Sequence, residues 1–307
     1  MTRKKNQIII ITIFFILCAA IIITAPILAT TKYSDRAEKN DLLTVLTVWQ
    51  IDSFEGGKGS RASYLKNIGD RFSKSGGCYI DVVSLTSSAA LNNITLGTIP
   101  DLISYGAGMY GIEKLICGKT PYVTWAHGGY CFLALDENAD FSDILPSNVV
   151  VNSGIENMSD VAALMCGIQG ATKEKPTGAY VSLINGKYKY LLGTQRDIYR
   201  LNTRGASFKL KPITEFNDLY QNISITTINV ERQKYARKFI DYLLTCSDEL
   251  IKLGLMGDTK LYEDEMGMME NLTYECRLMS PISESIKREV QEAVTNSDIK
   301  KLKNLFK

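Results

Sequence analysis

The chain has 307 residues, of which 45% are hydrophobic and 22% charged, enough for two modest domains with a real core. Its 35 Lys and Arg stand against 33 Asp and Glu, a formal net charge of +2, which excludes the clear basic excess of a nucleic-acid binder. One histidine and seven cysteines, none in a C-x-x-C pair, argue against a zinc or other transition-metal site.

The amino terminus carries a strong signal. Arg3, Lys4 and Lys5 precede the 22 uncharged residues from Ile8 to Ala29, close to the roughly 20 needed to cross a bilayer as a helix. The preceding basic residues favour cytoplasmic retention of that end. The run is longer than the usual apolar core of a cleaved signal, which favours an uncleaved anchor. Cleavage after Ala29 is the second reading, and a lipid-modified Cys18 the third. All three put the globular part on the extracytoplasmic side of the cell membrane, anchored or secreted. The polar stretch Lys32 to Asn40 reads as a linker.

The next elements alternate in type. A Val/Leu/Thr-rich strand from Leu42 ends at Trp49 and opens into Gln50, Asp52, Ser53 and Glu55. Ser60 starts a helical pattern with Leu65, Ile68 and Phe72 on one face, stopped by Gly76 and Gly77. Cys78 to Ser84 predicts a second strand, Ser87 to Leu96 a short helix, and Leu102 to Tyr105 a third strand cut off by Gly106 and Gly108. This β-α-β-α-β order implies parallel strands with right-handed crossovers. Ligands bind beyond the carboxyl ends of such strands.

Tyr122 to Leu135 is a long extended run interrupted at Gly128 and Gly129. Ser159 to Gly167 and Thr177 to Ile184 read as helices, and Lys187 to Gly193 as a strand ending in Thr194, Gln195, Arg196 and Asp197. Phe208 to Pro212 and Ile223 to Ile228 are further strand candidates. From Asn229 the pattern is helical, with Tyr235, Phe239, Tyr242 and Leu243 on one stripe. A Met-rich stretch follows. Ser280 with Pro281 then predicts a helix start, and Ile299, Leu302 and Phe306 a last apolar stripe.

Several motifs fail on inspection. Gly57 to Ala62 fits G-x-G-x-x-A, but Ile51 to Gly56 separates it from the strand end, so the glycines read as a turn and helix entry and no cofactor is expected. His127 stands beside two glycines with no G-x-S-x-G elbow, so it reads as structural or at a cleft edge and no catalytic residue is assigned. Glu263, Asp264 and Glu265 lack the spacing of a calcium loop and read as a solvated helix face. The nearby methionines read as packing residues. No metal site is expected. What remains are polar and aromatic groups at strand ends on both halves, which suit a small polar ligand held between two lobes.

The export segment, TVWQIDSFEGGKGSR, GTIPDLISYGAG, GTQRDIYRL and the helix ARKFIDYLLT together resemble an extracellular solute-binding protein of an ABC transporter, carbohydrate-type. The resemblance covers Leu42 to the carboxyl end. It implies an α/β, two-lobed, type II periplasmic-binding-protein-like fold with a hinge-linked cleft. It implies a non-enzymatic binder whose partners are a small molecule, a sugar, and the permease subunits of the transporter. By that resemblance Trp49, Asp52, Ser53, Ser104 and Tyr105 line one wall of the cleft, and Gln195 and Arg196 face them. The chain crosses out near Tyr122 to Gly129 and returns near Ile223 to Ile228. The expected division is an anchor at 1–30, a linker at 31–41, one lobe at 42–122 with 225–307, and a second lobe at 123–224. That second lobe is short beside typical sugar binders and has no tryptophan after Trp125. The rival reading is a membrane-anchored sensor or scaffold on the same fold; an exported enzyme is a further alternative.

Overall fold

A computed structural model describes residues 44–51, 60–75, 77–113, 115–116, 122–154, 158–214, 219–275 and 283–306. The apolar run Ile8 to Ala29, Asp52 and Ser53, and the Ser280–Pro281 helix start lie outside the described residues. No helix among the described residues is long and apolar enough to cross a membrane.

The first sheet gathers β1 (Thr44–Ile51), β2 (Cys78–Leu85), β3 (Leu102–Gly106), β4 (Val123–Ala126) and β10 (Gln221–Ile225) in the order β2-β1-β3-β10-β4. β1 and β3 run parallel, with Trp49 beside Ile103 and Gln50 beside Ser104, while β10 is antiparallel to both β3 and β4. The second sheet gathers β5 (Tyr130–Ala134), β6 (Val149–Asn152), β7 (Thr172–Glu174), β8 (Tyr190–Thr194) and β9 (Lys209–Pro212) in the order β7-β6-β8-β5-β9. Reading β6, β7 and β8 as first, second and third, the two orders are the same. Each sheet takes one antiparallel strand, β10 or β5, in its fourth place, and each such strand follows a passage of the chain between the sheets.

Helices cover both faces of both sheets. On the first sheet, α1 (Arg61–Phe72) and α6 (Val230–Thr245) bury Leu65, Ile68, Phe72, Phe239 and Leu243 against Val48, Leu102 and Ile223. Ser60 caps α1, accepting from the Ser63 N–H at 3.0 Å, and Asn229 caps α6 the same way from Arg232. Gly69 is required by contact: a Cβ there would lie 2.9 Å from that of Ile80 in β2. The opposite face packs α2 (Ser87–Thr95) and the segment after β3 on Trp49, Ile103 and Tyr105.

On the second sheet, α3 (Met158–Met165) shares one face with α8 (Glu284–Thr295) and α9 (Ile299–Leu305). The other face carries α4 (Pro176–Ile184), α5 (Gln195–Thr203) and α7 (Glu265–Glu275), with Met256, Met266 and Met269 buried among them. Met266 and Met269 are packing residues, whereas Met268 is 53% exposed and Met279 lies outside the described residues; Glu263 to Glu265 are exposed.

The sheets redraw the expected division. Val123–Ala126 and Gln221–Ile225 both pair in the first sheet, so the chain passes outward at 127–129 and, having left the second sheet after Pro212, is back in the first by Gln221. A third passage follows the 3-10 turn Ser247–Leu253. Leu250 and Leu255 still pack on the first sheet, whereas Met256 packs on the second, as do α7, α8 and α9. The carboxyl end therefore belongs with the second sheet. Among the described residues, α8 begins at Glu284 with Ser283 as its cap. The second lobe, though short, has a full five-stranded sheet. Its strands VVVN and TKE escape the sequence patterns because one is wholly buried and the other is three residues long.

Candidate functional site

The parallel strands of the first sheet end in amides and hydroxyls. Gln50 and Ser104 are neighbours in register and share a face of the sheet, and both are fully buried. The Ser104 hydroxyl accepts from Trp125 Nε1 at 3.0 Å and from Gln221 Nε2 at 3.2 Å. Gln50 spends its Nε2 on the Ile51 carbonyl at 2.9 Å. Its Oε1, like Gln221 Oε1, is buried with no hydrogen-bond partner among the described residues. On the other face Asn222 accepts from the Thr124 hydroxyl at 2.8 Å through Oδ1, and its buried Nδ2, on the Tyr105 side, makes no hydrogen bond within 3.5 Å among the described residues. A buried polar atom left unpaired costs about 1–3 kcal/mol. Among the described residues three such atoms sit at one sheet's strand ends, one on β1 and two at the start of β10.

Trp49 and Tyr105 are on the Asn222 face, inside an apolar cluster with Ala90, Met109 and Ile112, at 4% and 1% exposure. The Tyr105 hydroxyl lies 3.3 Å from Ser224 Oγ, and burial pushes its pKa up to about 12. The structure thus brings Ser104 together with Gln50, Trp125 and Gln221, while Trp49 and Tyr105 pack behind it.

Gln195 and Arg196 open α5 on the second sheet and are buried. Gln195 is clamped to the outward passage: Gly129 N–H donates to its Oε1 at 3.0 Å, and its own N–H donates to the Gly129 carbonyl at 3.0 Å. A Cβ on Gly128 would fall 2.4 Å from that amide. Arg196 lies near Tyr262, whose phenol burial and Glu270 push upward and whose rise Arg196 opposes. His127, in the same passage, pairs its backbone with Met256 and holds Nε2 3.6 Å from Asp258. Asp197 anchors the region: its Oδ2 accepts from Asn152 Nδ2 at 2.8 Å and Thr194 N at 3.0 Å, and its Oδ1 from Arg200 Nη1 at 3.0 Å. Among the described residues no cluster of His, Cys, Asp or Glu could hold a metal ion.

A cavity of about 320 Å³ lies between Tyr110, which follows β3, and the helices α3 and α8, lined also by Asp160, Lys287, Val290 and Gln291. The Tyr110 hydroxyl is buried without a partner among the described residues, and burial raises its pKa to about 12, so it remains a donor.

Gln221, Asn222 and Asn152 belong to no motif in the sequence. Their signal is visible in hindsight: QNISI and VVVN place amides at the ends of otherwise apolar strands, where a polar side chain enters a buried environment.

Two mixed sheets of identical order, joined by repeated passages and covered by helices, define a periplasmic-binding-protein-like α/β fold. Apo FutA2 from Synechocystis PCC6803 shares it with a TM-score of 0.53 at 7% identity, over 84% of this chain and 99% of that one. The periplasmic binding protein AfuA from Actinobacillus pleuropneumoniae, with fructose-6-phosphate bound, gives 0.51 at 12% identity, over 82% and 98%. A two-component-system protein that mediates signal transduction gives 0.51 at 13% identity, over 72% and 90%. The likeness at these identities is one of fold. No protein-family profile matches the sequence, and no curated protein does.

Proposed function

We propose that the chain is the extracytoplasmic substrate-binding component of an ABC importer, capturing a small polar ligand between its two lobes and performing no chemistry on it. The observation that carries this reading is the strand-end layer of the first sheet. There, on one face, Gln50 and Gln221 each bury an acceptor oxygen, and on the other Asn222 buries a donor, with no partner among the described residues. A ligand offering both donors and acceptors would relieve that cost. A carbohydrate, rich in hydroxyls that do both, is the proposed class; AfuA, which shares the fold, holds a sugar phosphate. Ser104, with Asp52 and Ser53 after β1, forms the proposed first wall. Gln195 and Arg196 form the second, and Trp49 and Tyr105 the support behind the first. The apolar run Ile8 to Ala29 is the proposed anchor, and the permease subunits of the importer the proposed partners.

The test is thermal unfolding of the purified chain against a panel of sugars, sugar phosphates, amino acids and short peptides. At a hundredfold excess over the dissociation constant, a ligand should add about 2.7 kcal/mol. No shift across the panel would end the binding reading and favour a membrane-anchored sensor or scaffold built on the same fold. Arg196→Ala should weaken binding without unfolding the protein; a lowered melting temperature with unchanged affinity would make Arg196 structural instead.

A further inference from the structure

Single exposed apolar side chains are ordinary on protein surfaces, but several gathered at one place mark an interaction site. At the amino-terminal ends of β1 and β3, opposite the strand-end layer, one hydrogen-bonded knot ties four segments together. Asp101 and Thr47 exchange bonds, Thr47 N–H to Asp101 Oδ2 at 2.9 Å and Asp101 N–H to the Thr47 carbonyl at 2.9 Å. The Asp101 carbonyl accepts from Thr226 N at 2.9 Å and Thr227 N at 3.2 Å. Arg232 donates from Nε to Asp101 Oδ1 at 2.6 Å and from Nη2 to the Val45 carbonyl at 2.6 Å.

Each segment in the knot carries an exposed apolar side chain within two residues: Val45 at 43%, Ile99 at 50%, Ile228 at 86% and Val230 at 66%. Leu96, at the end of α2, is 81% exposed. Lysines flank them. Lys74 is exposed at the end of α1, and Lys238 lies 5.8 Å above the Tyr235 ring, which itself approaches Gly77 at the start of β2. Lys234 is exposed too, paired with Glu231 at 2.7 Å. Exposed apolar side chains with lysines on the adjoining helices, and one exposed acid, Glu231, beside Val230, suit the interface of a bilayer with anionic lipid.

The chain enters the fold at this same end. Only residues 30–43 separate Thr44, the start of β1, from the apolar run ending at Ala29, a reach of at most about 50 Å. We propose that this end of the first sheet docks on the lipid bilayer surface, leaving the strand-end layer facing away from it. The inference rests on reading Ile8 to Ala29 as the anchor. A tether of that length supplies an effective concentration on the order of millimolar, so a surface too weak to bind by itself docks once anchored.

The test uses the full chain in vesicles of phosphatidylcholine and phosphatidylglycerol, with and without brominated acyl chains. Trp49 and Trp125 are each 4% exposed and give a low background. Tryptophan emission from the Ile228→Trp variant should fall at least twofold in brominated vesicles. Emission from Leu145→Trp, a 57% exposed position among the second-sheet segments, should not. Changing Val230 and Ile99 to Asp in the Ile228→Trp background should abolish the quenching. A chain that fails to float with the vesicles overturns the anchor and the docking together. Flotation without quenching at position 228 overturns the docking alone. Quenching that rises with the protein-to-lipid ratio overturns it in favour of a second copy of the chain on this face.

Discussion

The two sheets share one strand order, and two sets of their buried polar groups make a contrast. In the second sheet the Asp197 carboxylate has a partner on each oxygen, drawn from β6, β8 and α5, so a buried charge is fully used in holding three elements together. In the first sheet the amides of Gln50, Gln221 and Asn222 reach an equally buried position, and each leaves one atom unpaired among the described residues. A satisfied network rigidifies, whereas a partly satisfied one costs stability unless something else completes it. The same architecture thus carries a strut on one side and, among the described residues, a group of unpaired hydrogen-bonding atoms on the other.

Substitutions can break that contrast. The largest effect is expected at the strut: Asp197→Ala strands Arg200 and Asn152, and should cost about 3–5 kcal/mol, read by denaturant unfolding. Gly128→Ala comes next. Its new Cβ collides with the Gln195 amide, and the overpacking should cost about 1–3 kcal/mol, with much of it recovered in the Gly128→Ala, Gln195→Ala double variant.

Asp101 tests a third region by pH. Burial pushes its carboxyl up, but the Arg232 guanidinium and the Thr47 N–H hold it below the usual range on balance. A depressed folded-state pKa means the stabilisation is complete above the unfolded value and is lost as pH falls through the folded one. Asp101→Asn should therefore be destabilising at neutral pH and show a flatter stability profile below about pH 4 than the wild type.

The smallest effect on stability is expected at the unmet atoms. Gln50→Met removes a buried unpaired oxygen along with one hydrogen bond, so stability without ligand should stay within about 1 kcal/mol of wild type. Any thermal shift produced by ligand should nevertheless disappear. A large loss of stability in this variant would make Gln50 a second strut and erase the contrast.

Much of this fold is legible in the sequence because its elements are amphipathic in the ordinary way. The Leu65, Ile68 and Phe72 stripe, the Phe239 and Leu243 stripe and the LISYG strand all lie in elements of the expected type. What escapes reading is partnership at a distance. Nothing in local periodicity says that β10 inserts between β3 and β4, or that the helices after Met256 pack on the second sheet. Trp49 and Gln50 illustrate the same point for the candidate site. Adjacent residues in a strand point to opposite faces, so the conspicuous tryptophan faces an apolar cluster while the plain glutamine beside it sits in the polar layer. Gln195 shows the converse: a polar residue after a strand, expected to line the cleft, has its side-chain oxygen taken up by the backbone of a passage segment.

The third passage, at Met256, leaves the two ends of the fold on different sheets: Val45 opens the first, and Leu302 and Phe306 close against the second. An energy-transfer pair, with one dye near each end, would therefore act as a caliper on the two halves. Its signal would report their separation in real time without a dye near the strand-end layer.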